Sequence, residues 1–160
     1  MRTLLKVVMT LLVLLPSSSV LSAEEAPGFE LGGIDKQVKL SEYKGKVVYL
    51  DFWASWCGPC RKSFPWMNEM QSRFKGKGFR VIAVNLDEKR SDADKFINQL
   101  KPNFDIAFDP TGEVAGVYEL QGMPSAYLID RGGKLHSVHL GFRSKDIASL
   151  EHEIETLLKQ

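Results

Sequence analysis

KVVYLDFWASWCGPC, residues 46–60, is the stretch that decides how this chain folds. Its first half, Lys46 to Trp53, is β-branched and aromatic, and long enough to cross a sheet. It runs into two cysteines three positions apart, Cys57 and Cys60, at the head of a segment with helical periodicity. There Cys60, Phe64, Met67 and Phe74 recur at helical spacing, which predicts a buried stripe on a helix reaching about Phe74. Pro65 is expected to kink that helix, because its ring clashes with the Arg61 carbonyl and it has no N–H to donate. Gly76 and Gly78 close it. Phe79 to Leu86 (FRVIAVNL) is nearly all apolar, as a strand covered on both faces should be.

Further along, a helix is expected from Ser91, whose hydroxyl would cap it, with Asp94 three residues on as in a capping box. Phe96, Ile97 and Leu100 give it an apolar side, and Pro102 stops it. Phe104 to Phe108 suits a short strand. Asp109-Pro110 has the form of a cap followed by proline at the first helical position, opening a helix through Tyr118. Ser125 to Ile129 and Lys134 to Leu140 are strands joined by Arg131-Gly132-Gly133, hence antiparallel. A last helix opens near Ser144, with Ile147, Leu150, Ile154, Leu157 and Leu158 on one face. The predicted class is α/β: a central mixed sheet with helices on both sides, forming one domain over residues 24–160.

Residues 1–23 have a different character. Arg2 and Lys6 precede an apolar run from Val7 to Leu15, and Pro16, three serines and a small-residue end at Ser22 and Ala23 follow. This is the layout of a secretory signal peptide cut near Glu24. The other reading is an uncleaved membrane anchor, but the run falls short of the ~20 apolar residues a spanning helix needs. No cysteine follows it to carry a lipid. The formal charge of +1, with acids and bases interspersed, gives no electrostatic footprint for nucleic acid.

The pair at 57 and 60 comprises all the cysteine in the chain. A disulfide closing so small a loop restricts the unfolded chain little and stabilises little, so chemistry explains it better than stapling. The thiolate is the nucleophile, and an ordinary thiol with a pKa near ~8.5 is only a few per cent ionised at neutral pH. Cys57 at a helix N-terminus would lie among unpaired N–H groups that favour negative charge, lowering its pKa. Cys60, one turn in, would be less exposed and act as the resolving thiol, and Pro59 would stiffen the first turn. Zinc would need two further ligands, and the histidines do not supply them. His136 and His139 are an odd number of residues apart on an expected strand and should face opposite sides, while His152 lies on the last helix. No metal site or cofactor is expected.

The segment Asp51 to Cys60 (DFWASWCGPC) resembles the active-site segment of thioredoxins almost residue for residue. Pro65 matches that family's kinking proline, Met123-Pro124-Ser125 its cis-proline segment, and Gly141 its late glycine. The signal peptide, the front segment Pro27 to Tyr43 and the inserted elements Asp87 to Tyr118 are similar to the exported TlpA-type branch, which includes cytochrome-c-maturation reductants. Peroxiredoxins share the insert, but their peroxidatic cysteine pattern is absent here. The resemblance implies a thioredoxin-like fold with a TlpA-type central insert, and a periplasmic thiol-disulfide oxidoreductase. It implies catalytic roles for Cys57, Cys60 and Asp51. It also implies a docking surface of Trp56, Gly58, Pro59, Met123 and a cis Pro124, with the Met123 backbone free to pair with an extended substrate strand. Trp53 is expected in the core.

Two departures follow from the same resemblance. TlpA-type proteins often carry an amide where this chain has Asp51, and the lysine that faces this acid in thioredoxins aligns with Ala83. Asp51 is thus expected to be buried without that partner, its pKa raised by desolvation, passing protons to and from Cys60. The plainer reading is a buried acid held by backbone or water. The direction of exchange comes from residues 58 and 59. Strong oxidants of the superfamily place a histidine there, whose charge stabilises the thiolate and so the reduced form. Gly58 and Pro59 supply no charge, and Arg61 is expected to point to solvent, which implies a reductant recharged by a membrane electron donor. Its partners would be disulfide- or thiol-bearing exported proteins, met by a monomer. The alternatives are a periplasmic oxidant, or a module that holds a partner or metal without turnover.

Overall fold

A computed structural model describes residues 24–160; the expected signal peptide lies outside them. The chain forms β1 (Glu30–Gly32), β2 (Gln37–Lys39), β3 (Val47–Trp53), α1 (Gly58–Phe74), β4 (Phe79–Asn85), α2 (Arg90–Leu100), β5 (Asp105–Phe108), α3 (Glu113–Val117), β6 (Ser125–Ile129), β7 (Leu135–Leu140) and α4 (Ile147–Leu158). The main sheet has the order β5-β4-β3-β6-β7. β3 pairs parallel to β4 and antiparallel to β6, so the sheet is mixed, as expected. All seven residues of β3 are buried because it lies in the middle with both faces covered.

Two cores result, one on each face. Val47, Tyr49 and Trp53 share the face packed by α1, α2 and α4, where Phe64, Met67, Met70, Phe96, Leu150 and Ile154 are sealed from solvent. Val48, Leu50 and Phe52 share the opposite face with Phe29, Val38, Tyr43, Ala115, Tyr118 and Tyr127. Each of the large side chains so buried contributes about 1.5–3 kcal/mol. Three helices therefore crowd one face, and the other is closed by the β1–β2 hairpin, a 3₁₀ turn at Leu40–Tyr43 and the short α3. The hairpin also covers the β5 edge through a bridge between Gly33 and Ala107.

Three local expectations need correction. α2 begins at Arg90, its N-cap is Lys89, and no side chain caps it, so the Ser91–Asp94 box does not form. Its first turn is held instead by Arg90–Asp94 and Lys95–Asp92 ion pairs. α3 does not start at Pro110: Asp109 to Gly112 form a turn closed by the Gly112 N–H on the Asp109 carbonyl, and helix follows only from Glu113 to Val117. Asp109 still caps, because its carboxylate accepts from the Glu113 and Ala115 amides across that turn. Finally, His136 and His139 do not diverge. The β6–β7 register breaks between Leu128–Ser137 and Ile129–Leu135, so His136 is an extra residue that resets the alternation. Both imidazoles consequently meet the carboxylate of Glu153 on α4, at 3.3 and 2.9 Å.

Candidate active site

The site is built where β3 ends. The parallel strands β3 and β4 both finish at this pole, the position at which open α/β sheets present their ligand-binding loops. Residues 54–57 make a turn closed by the Cys57 N–H on the Ala54 carbonyl at 3.1 Å. Cys57 is then the N-cap of α1, with extended backbone at φ −81° and ψ 103°, and Pro59 occupies the first turn, where its missing N–H costs nothing. The Cys57 Sγ accepts a hydrogen bond from the Cys60 amide at 3.2 Å. That bond satisfies one of the helix's otherwise orphaned donors and is the physical reason negative charge on this sulfur is favoured.

Cys57 and Cys60 form a disulfide with Cα atoms 5.3 Å apart. Cys60 is fully sealed and Cys57 only 5% exposed, so a partner can reach the pair from the Cys57 side alone. Trp56, next to it, is 72% exposed, whereas Trp53 is wholly buried between the rings of Phe64 and Phe96, at 4.9 and 4.6 Å between centroids. α1 runs unbroken through Pro65. Arg61 is exposed but not free: its guanidinium lies 4.6 Å over the Phe96 ring and donates to the Gln99 side chain. A small groove of about 170 Å³ between the cysteine loop and α2 is lined by Ser55, Arg61, Asp92, Lys95, Phe96 and Gln99, and neither cysteine lines it.

Asp51 lies on β3 with its side chain on the α1 face, two residues before Trp53, and Ala83 is its neighbour on β4. It is 1% exposed, and neither carboxylate oxygen has a hydrogen-bond partner among the described residues. Desolvation pushes its pKa well above the ordinary carboxylate range. The Met123–Pro124 peptide bond is cis. It comes just before β6, whose first residue Ser125 pairs with Phe52 near the end of β3, so this loop shares the pole of the cysteines. The Gly141 amide donates to the Pro124 carbonyl, and Gly141 takes the left-handed φ of 77° that glycine allows.

A polar cluster at the end of β4 escaped the sequence reading. Asp87 is buried and accepts from the Ser55 amide and hydroxyl and from the Asn85 side chain. Its signal was an Asn-Leu-Asp ending to an apolar strand, on the side of the sheet where the cysteine loop had to be.

Comparison with known proteins agrees with this geometry. Residues 23–138 match the AhpC/TSA family. The thiol-disulfide oxidoreductase ResA of Bacillus thuringiensis is 36% identical over 124 residues, covering 77% of this chain and 72% of its own. ResA of Bacillus subtilis is 33% identical over 142 residues, covering 88% and 78%. A crystal structure from Chlorobium tepidum, described as a thiol:disulfide interchange protein DsbE, superposes with a TM-score of 0.84 at 54% identity, covering 85% of this chain and 96% of that one.

Proposed function

The chain belongs to the AhpC/TSA family as a thiol-disulfide oxidoreductase of thioredoxin-like fold, and from that membership we propose that it reduces disulfides of exported proteins. The observation that carries this reading is the asymmetry of the pair: Cys57 at the helix N-cap with its sulfur on an amide, Cys60 sealed beneath it. In the reduced protein the Cys57 thiolate attacks one sulfur of a substrate disulfide. The substrate S–S bond breaks, its second sulfur leaves as a thiolate and takes a proton, and a mixed disulfide joins Cys57 to the substrate. Cys60 then loses its proton and attacks the Cys57 sulfur. The second substrate thiol is released, and two electrons have passed from the pair to the substrate. Asp51, on the same face of β3 as the Cys60 layer, serves as the acceptor and later donor of the Cys60 proton. Trp56, Gly58, Pro59, Met123 and Pro124 form the rim against which the substrate chain lies.

The reducing direction rests on what stands between the cysteines. Neither Gly58 nor Pro59 brings a charge to stabilise the Cys57 thiolate, and Arg61 is turned toward Phe96 and Gln99. The reduced form is therefore not specially favoured, and the disulfide stays comparatively hard to reduce. Equilibration with dithiothreitol or glutathione buffers should place the potential near the reducing end. Pro59→His should move it toward the oxidising side by some tens of millivolts, ~30 mV for each tenfold change in the equilibrium constant of this two-electron couple. A wild-type value as oxidising as a dedicated disulfide donor overturns the direction. A reductant working outside the cell also needs a membrane donor to recharge it.

Export rests on residues 1–23. Protein recovered from the periplasm should have the intact mass of a chain beginning at Glu24. A full-length chain retained in the membrane fraction would refute cleavage. Among the described residues no helix is long and apolar enough to cross a membrane.

A further inference from the structure

Three carboxylates are buried among the described residues, and Asp87 is the one that reaches the cysteine loop. We propose that Asp87 is a positioning residue for substrate docking, holding Ser55 so that the Trp56 ring stands as a fixed apolar lip beside Cys57. This rests on the reading of Trp56 as part of the docking rim.

Trp56 is 72% exposed, so little packing fixes its direction and the backbone beneath it must. Ser55 and Trp56 are the two middle residues of the turn closed by the Cys57 amide on the Ala54 carbonyl. Asp87 grips the first of them twice, with Oδ2 on the Ser55 amide at 2.9 Å and Oδ1 on its hydroxyl at 2.7 Å. The grip is itself held. The Asn85 side-chain amide donates to Asp87 Oδ2 at 2.7 Å, and the Asp87 backbone amide returns a bond to Asn85 Oδ1 at 3.1 Å. On either side the Leu86 amide bonds the Trp53 carbonyl and the Asp109 amide bonds the Asn85 carbonyl, both at 2.9 Å. The loop is thereby referenced to the ends of β3, β4 and β5 rather than left to solvent. An exposed aromatic adds more affinity where its direction is set before the partner arrives, since ordering it on contact costs part of the gain.

The test compares two oxidised substrates with the reduced protein: insulin, which needs the rim, and hydroxyethyl disulfide, which is too small to use it. Asp87→Ala should raise KM for insulin about tenfold, the effect of ~1.4 kcal/mol, with kcat and the rate on hydroxyethyl disulfide within about twofold of wild type. Asp87→Asn keeps an oxygen for the Ser55 amide and should recover most of the loss. Time-resolved anisotropy should report a freer tryptophan in Asp87→Ala, because Trp53 and Trp66 are buried and Trp56 is not. In a Trp56→Ala background, Asp87→Ala should have no further effect on KM. Should Asp87→Ala not fold, Ser55→Ala, which removes the hydroxyl bond alone, must show a smaller KM effect with the same dependence on Trp56. Equal slowing of both substrates, or an undiminished effect without Trp56, overturns the proposal. Failure of wild type to react with hydroxyethyl disulfide would instead count against the exchange reading itself.

Discussion

Cys57→Ser abolishes exchange, by ~10³-fold or more, while Cys60→Ser turns exchange into a trap; these are the expected outcomes of an insulin-reduction assay run beside non-reducing gels. The first follows from access. Cys60 is fully buried and no partner sulfur can reach it directly, so without the Cys57 sulfur no mixed disulfide forms. The second follows from order: with Cys57 intact the first attack proceeds, but nothing displaces the substrate. Covalent adducts on Cys57 should then accumulate and be released by dithiothreitol. In the reduced wild type, an alkylating agent should modify Cys57 first, although more slowly than a free thiol, because only 5% of the residue is exposed. Adducts captured by the Cys57 variant through Cys60 would reverse the assignment.

Replacing Asp51 should make the protein more stable and less competent. Its carboxyl is buried with no hydrogen-bond partner among the described residues, and an unpartnered buried polar group costs about 1–3 kcal/mol by mutational data. Asp51→Val suits a central strand and should recover that amount at neutral pH and above, measured by denaturant unfolding. The pH dependence has a definite sign. Desolvation raises the folded-state pKa above the unfolded value, so between the two the folded state keeps a proton that the unfolded state has lost. This group's contribution to stability is therefore greatest below the unfolded pKa. It declines as pH rises, until the folded pKa is passed. Asp51→Asn, which cannot ionise, should lack that decline. If Asp51 moves the Cys60 proton, both variants, with Cys60 intact, should also resolve the mixed disulfide and release substrate about 10²-fold more slowly. Unchanged release would leave Asp51 a buried acid without a part in the chemistry.

Much of this was written in local pattern. The runs Lys46–Trp53 and Phe79–Leu86 announced two strands and the stripe Cys60-Phe64-Met67-Phe74 a helix face. In the structure β3 and the stripe are buried throughout, and β4 is buried except at Arg80. The cysteine loop was legible because its chemistry needs a strand before it and a helix after it. What was not legible depended on distant partners. Ser91 had the right spacing for a capping box, yet α2 starts at Arg90 with Lys89 as its N-cap, so Ser91 lies inside the first turn and caps nothing. Asp109 caps from beyond a left-handed Gly112, a geometry that spacing alone does not distinguish from an ordinary cap. The His136 bulge requires knowing where β6 and β7 lose register. Asp87 acquires meaning only when Ser55, 32 residues earlier, is folded beside it.

The first described residues run antiparallel beside the β6–β7 turn: the Leu135 amide bonds the Glu24 carbonyl and the Ala26 amide bonds the Gly133 carbonyl. That turn lies at the end of β6 that pairs with the start of β3, whereas the cysteines follow its end. The seven residues of β3 separate the two by ~20 Å at the usual rise per residue. A linker joined ahead of Glu24 therefore leaves from the pole opposite the thiols. Coupled to a sensor chip or an electrode through that end, the protein would stand with its disulfide facing the solution, and a carrier fused there would cast no shadow on the reacting sulfur.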